Sequence, residues 1–227
     1  MTAQTMQIGN RPCRIYGEAH AEYLLLQMTG EHELQSMESE VTAIAQSAHH
    51  FLFAAIPVES WNDALSPWEA PAVWGTQGFG GNAMDTLRFL MEQVIPTLKR
   101  QFHLPENVKI ILGGYSLAGL FALYALYQTD VFARAASMSG SFWFEGIMEY
   151  VCSHEMKRKP DCLYFSLGDK ESSTDNPILN VVQQNTQEIE TLCHGKGIET
   201  TFVLNSGSHY QACNKRTAAG IHWILNR

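Results

Sequence analysis

The stretch that most restricts what this chain can become runs from Lys109 to Tyr124. An apolar run, Ile110-Ile111-Leu112, ends in Gly113-Gly114; Tyr115-Ser116-Leu117-Ala118-Gly119 follows, and then an apolar, helix-like segment. A strand that turns sharply into a helix needs small residues around the turn, so that the backbone can bend and the helix can pack close to the strand. The serine at the apex is left exposed, beside backbone N–H groups at the helix start. Phosphate-binding loops also place glycines between a strand and a helix. Neither Gly-x-Gly-x-x-Gly nor Gly-Lys-Ser/Thr is present here, however. The residues favour Ser116 as the nucleophile of a hydrolase, in a Gly-x-Ser-x-Ala pattern whose fifth position is alanine in place of the usual glycine.

The chain around this turn alternates strand-like and helix-like segments. Arg11 to Gly17 reads as a short edge strand, with Pro12 near its start. Glu22 to Met28 and His50 to Val58 are near-continuous apolar runs, expected of parallel strands covered on both faces. Between them Glu33 to Gln46 has helical spacing. Glu59 to Asn82 carries Trp61, Trp68 and Trp74 and reads as a long loop, either functional or a surface Ω-loop pinned by its aromatics. Ala83 to Phe102 is a helix that Pro96 is expected to kink. Then come strand Val108–Leu112, helix Leu117–Tyr127, strand Arg134–Met138 and a helical segment from Glu145 to His154. Strand Cys162–Leu167 follows. A helix from Asn176 to His194 opens on Asn176-Pro177. Strand Thr200–Leu204 and helix Gln211–Leu225 close the chain.

This alternation predicts an α/β fold with a mostly parallel central sheet, helices on both faces and no large cap domain. With 227 residues, one domain spanning 1–227 is expected. The formal net charge of −8 gives nucleic-acid binding no electrostatic support. No apolar run reaches membrane-span length, and the first ten residues lack the basic start and apolar core of a signal peptide. The five cysteines are far apart without a Cys-x-x-Cys pair. They suggest free thiols in a reducing cytosol and no structural metal. A cytoplasmic protein without cofactor or metal is the expectation; oligomeric state is not legible.

In a parallel sheet, ligands sit outside the carboxyl ends of the strands. Three such loops present Ser116, then Asp169 and Glu171, then His209, and serine–acid–histidine is the chain order of α/β-hydrolases. A serine hydroxyl needs a base to take its proton, and the base needs an acid to fix its tautomer. His209, in a Gly-Ser-His turn after the last strand, is the favoured base among nine histidines, with His32 its competitor. The residues leave the acid open between Glu171 and Asp169. For the oxyanion, Leu117 N–H follows the nucleophile directly. A second donor from the loop after the strand ending at Met28 is expected at Glu31, with Gly30 as alternative. Trp61, Trp68, Phe142, Trp143 and Tyr210 are candidates to wall a substrate pocket.

Gly114-Tyr115-Ser116-Leu117-Ala118-Gly119, Ser139-Gly140-Ser141-Phe142-Trp143-Phe144, Gly168-Asp169-Lys170-Glu171 and Gly207-Ser208-His209-Tyr210 together resemble the putative-esterase family of α/β-hydrolases. So does the Phe79-Gly80-Gly81-Asn82-Ala83 approach to a helix. That family includes enterobactin-type siderophore esterases, esterase D-like enzymes and mycolyl transferases. The resemblance runs from about Glu22 to the end, and departs from the family at Ala118 and at Thr29-Gly30, where a His-Gly pair is usual. It implies a serine carboxylic-ester hydrolase working through an acyl-enzyme, with Glu171 as acid and His209 as base. The same triad would serve an acyltransferase, and the same scaffold a non-catalytic binding protein. Around the strand ends only Lys170, Lys215 and Arg216 are basic, so a neutral or small carboxylic ester is expected rather than a strongly anionic iron–siderophore complex.

Overall fold

The computed structural model describes residues 3–30, 34, 37–46 and 50–227. Its strands are β1 (Gln4–Ile8), β2 (Arg11–Gly17), β3 (Tyr23–Thr29), β4 (Phe51–Pro57), β5 (Glu69–Ala70), β6 (Phe79–Gly80), β7 (Lys109–Tyr115), β8 (Arg134–Met138), β9 (Cys162–Gly168) and β10 (Glu199–Asn205). Its helices are α1 (Met37–Ala45), α2 (Trp61–Leu65), α3 (Ala83–Phe89), α4 (Ile95–Gln101), α5 (Leu117–Gln128), α6 (Ile147–Ser153), α7 (Val182–Gly195) and α8 (Cys213–Leu225).

Eight strands form one sheet in the order β1-β2-β4-β3-β7-β8-β9-β10, parallel from β4 onward, with β1 and β2 antiparallel. Period-two alternation sorts the strand side chains between two cores. Leu24, Leu26, Leu52, Ala54 and Leu112 face one side, where α3, α4, α5, α6 and α7 pack. Leu25, Phe53, Ala55 and Ile111 face the other, against α1 and α8. Both faces are covered, which is why β3, β4 and β7 read as near-continuous apolar runs. Helix α5 is buried from Leu117 to Tyr127. Truncation of its fully buried Phe121 would cost about 3–5 kcal/mol.

From β3 the chain passes through α1 to β4, then crosses back to β7 on the other side of β3. The order reverses there, and this is where open α/β sheets bind ligands. The carboxyl ends of β7, β8, β9 and β10 lie side by side at that edge.

Several boundaries differ from expectation. The sheet edge is β1, a polar strand that periodicity does not reveal; β2 is second in, and its Pro12 pairs with Gln7. The segment 59–82 holds α2 and the small antiparallel β5–β6 pair. Ahead of Pro96 the helix widens into a π turn over Leu90–Val94. That turn relieves the bond that proline cannot donate. Asn176-Pro177 opens turns rather than a helix, because Asn176 Oδ1 accepts the Ile178 N–H at 2.9 Å and α7 starts only at Val182.

Candidate active site

Ser116 sits between β7 and α5 with φ 59° and ψ −125°, a conformation that bulky residues avoid. Its N–H donates to Met138 O at 3.0 Å, and its carbonyl accepts from Gly119, Leu120 and Ser141. The turn is therefore held by backbone on both sides. A Cβ on Gly114 would overlap the backbone of Ala118, so the Gly-x-Ser-x-Ala arrangement keeps the strand and the helix start in contact. The alanine at the fifth position needs that glycine opposite it.

The Ser116 hydroxyl does not cap α5. Its Oγ lies 3.1 Å from His209 Nε2 and 3.4 Å from Ser141 Oγ. On the other side of the ring, His209 Nδ1 is 2.7 Å from Glu171 Oε2. The other carboxylate oxygen, Oε1, accepts from Gly168 N–H at 2.6 Å, the Ser139 hydroxyl at 2.7 Å and Arg216 Nη1 at 3.1 Å. A carboxylate with three donors on one oxygen is held ionised, so Nδ1 of His209 is the donor and Nε2 faces Ser116 as acceptor. Burial alone pushes the Glu171 carboxyl up. The hydrogen bond and charge of His209, with Gly168 N–H and the Ser139 hydroxyl, outweigh it and leave it below the ordinary carboxylate value.

Each group is fixed by its own strand end. Glu171 lies in the turn after β9, whose Glu171 N–H donates to Gly168 O at 3.1 Å and folds the side chain back over the strand. His209 follows β10, and its carbonyl accepts from the Tyr115 hydroxyl at 2.6 Å. Burial pushes the Tyr115 phenol up, so it stays a neutral donor. Asp169 is outside this set: it is exposed, and its Oδ1 accepts the Gly207 N–H at 2.7 Å, tying the β9 loop to the β10 loop. Leu117 is the first residue of α5, so its N–H is free of the helix's own pattern. Gly30 is buried at the end of β3. Glu31 and the competing His32 lie outside the described residues.

The aromatic candidates separate. Phe142 is fully buried and packs on Phe165. Trp68 donates its indole N–H to Glu145 O at 2.9 Å and packs among Tyr124, Phe144 and Tyr150, as a structural strut. Trp61 is half-buried, packed against the core. Tyr210 is exposed beside the His209 ring. Trp143, two residues after Ser141, lines an apolar cavity of about 370 Å³ with Val73, Phe79, Phe144, Ile178 and Val181. Sequence reasoning missed most of those walls: they come from 59–82, read as a long loop, and from 176–181, read as the start of a helix. It also placed Arg216 among the open basic residues. Helix α8 starts at Cys213 and turns Arg216 inward, where its side chain is 3% exposed.

Three cysteines, Cys13, Cys162 and Cys193, are buried with their thiols pushed up to about 11, 11 and 12 by burial. These are packing residues. No described helix is long and apolar enough to cross a membrane.

A protein of Bacillus subtilis strain 168, YbbA, described as uncharacterized, is 22% identical over 192 residues, covering 80% of this chain and 76% of its own. The structure of an IroE-like serine hydrolase from Shewanella oneidensis superposes with TM-score 0.81 at 16% identity, over 98% of this chain and 79% of that one. The enterobactin esterase of Shigella flexneri superposes with TM-score 0.75 at 16% identity, over all of this chain and 60% of that one. At such identities the superpositions establish the α/β fold. The sequence profile described as Putative esterase matches residues 26–215, a span that contains Ser116, Glu171 and His209. The chain therefore belongs to the Putative esterase family, and ester hydrolysis is its activity class.

Proposed function

We propose that the protein is a serine carboxylic-ester hydrolase working through an acyl-enzyme on Ser116. The observation that carries this reading is the continuous line Ser116 Oγ – His209 Nε2 – His209 Nδ1 – Glu171 Oε2, at 3.1 and 2.7 Å. His209 takes the Ser116 proton as Oγ attacks the ester carbonyl. The tetrahedral oxyanion is received by Leu117 N–H and by a second backbone donor from the loop after β3, Glu31 or Gly30. The imidazolium, held and stabilised by Glu171, returns the proton to the leaving alcohol, and water then repeats the cycle to free the acid. Glu171 is assigned as the acid because it meets the ring, whereas Asp169 bonds to Gly207 N–H.

The apolar cavity beside Trp143 takes an apolar group of the ester. Among the described residues Glu145 is its one charged wall, and the adjoining open depression carries Asp63 and Glu69. Burial of Arg216 against Glu171 removes one of the few basic residues near the strand ends. A neutral ester therefore suits the site better than a polyanionic one. Transfer of the acyl group to an alcohol in place of water is the second use this triad permits.

A fluorophosphonate probe tests the reading. Stoichiometric labelling of the wild type, lost in Ser116→Ala, is expected. Labelling that is absent, or equal in the variant, refutes it.

A further inference from the structure

We propose that Arg216 is a positioning residue for the reaction, a fixed buried cation that orients the Glu171 carboxylate and, through it, the His209 ring. The proposal rests on the triad reading given above and adds a fourth, buried member.

Arg216 touches four of the segments that build the site. Its Nη1 donates to Glu171 Oε1 at 3.1 Å and to the Tyr115 hydroxyl at 3.2 Å, with Ser139 Oγ at 3.4 Å. Its Nη2 donates to Ser206 O at 3.0 Å, on the loop that carries His209. Strand β7, the turn after β8, the β9 loop and the β10 loop are thus joined by one rigid planar group. The backbone is shaped to admit it: a Cβ on Gly168 would fall 2.8 and 2.9 Å from the two terminal guanidinium nitrogens. The side chains of Arg216 and Glu171 are 3% and 4% exposed, so little water screens them.

With Oε1 claimed by Arg216, Gly168 and Ser139, only Oε2 is left for His209, which fixes the ring's plane and its tautomer. The other groups near the ring are the phenols of Tyr115 on β7 and Tyr210 beside it, and the Cys213 thiol on α8, 3.5 Å from His209 O. Asp169 bonds to Gly207 N–H. Arg216 is the cation that touches the pair.

The test is kcat and KM on a p-nitrophenyl ester for wild type, Arg216→Met and Arg216→Lys, with folding followed by circular dichroism. Arg216→Met should lower kcat roughly ten- to a hundredfold with KM little changed. Arg216→Lys keeps the charge without the fork; its kcat should fall between those of Arg216→Met and wild type. A folded Arg216→Met with wild-type kcat, or with its loss in KM alone, overturns the proposal. Should Arg216→Met fail to fold, Arg216→Lys decides alone: wild-type kcat overturns the proposal. Fluorophosphonate labelling of wild-type Ser116 separates this failure from failure of the triad reading, which would abolish labelling altogether.

Discussion

Replacing Glu171 by glutamine removes a single charge from the most heavily hydrogen-bonded point of the site. The change is nearly isosteric, and the amide oxygen can still accept from Gly168 N–H and Ser139. It leaves Arg216, 3% exposed, as a buried cation without its counter-ion. Breaking one side of a buried pair costs about 3–5 kcal/mol, and the retained hydrogen bonds favour the lower end. In a chain of 227 residues each kcal/mol moves Tm by about 2–4 °C, so a loss of roughly 6–12 °C is expected at neutral pH. The pH dependence has a definite sign. Glu171 is held below its ordinary value in the folded state. Its stabilisation is therefore fully present above the unfolded value of about 4.3 and fades as pH falls through the lower folded value. The gap in Tm between wild type and Glu171→Gln should be wide at pH 7 and narrow below about pH 4.3. The same substitution should lower kcat by about 10⁴, because His209 loses the partner that fixes its tautomer. Calorimetry over that pH range and turnover of p-nitrophenyl acetate measure both effects. A Tm within 2 °C of wild type at pH 7, or a gap that widens with acid, would show that the Glu171–Arg216 pair is not holding the site as described; ~2 °C is less than 1 kcal/mol here.

Gly168→Ala would push a methyl group against the Gly207 carbonyl oxygen and the Arg216 guanidinium. A loss of about 1–3 kcal/mol with reduced kcat is expected by thermal melts and kinetics; wild-type values for both would contradict the packing described. Val73→Trp should fill the cavity beside Trp143. Hydrolysis of long-chain or aryl acyl esters should then fall, by about tenfold per methylene excluded, while acetate is spared. Equal effects on all chain lengths would place the acyl group elsewhere.

Much of the fold is legible in sequence wherever burial is two-sided. Runs such as Leu24–Leu26 and Phe51–Ile56 have no polar position because both faces are covered. Edge elements are hidden for the opposite reason: β1 is Gln-Thr-Met-Gln-Ile, half solvent-facing, and looks like any polar terminus. The candidate site stood out in the sequence at Ser116 and His209, where glycine-rich turns follow apolar strands. It was ambiguous at the acid, because Asp169 and Glu171 share one turn and only the fold-back of that turn separates them. Arg216 was legible as a charge and not as a partner. Whether a basic residue seven positions past His209 lies open or buried depends on where α8 begins, and Cys213 carries no capping signal that marks the start.

The most direct measurement is mass spectrometry of the protein during turnover of a slowly deacylating ester. The covalent acyl group should appear on the peptide that contains Ser116, at one per chain, and should be absent from Ser116→Ala. An acyl group on any other residue, or steady turnover by Ser116→Ala at the wild-type rate, would contradict the nucleophile assignment on which the mechanism stands.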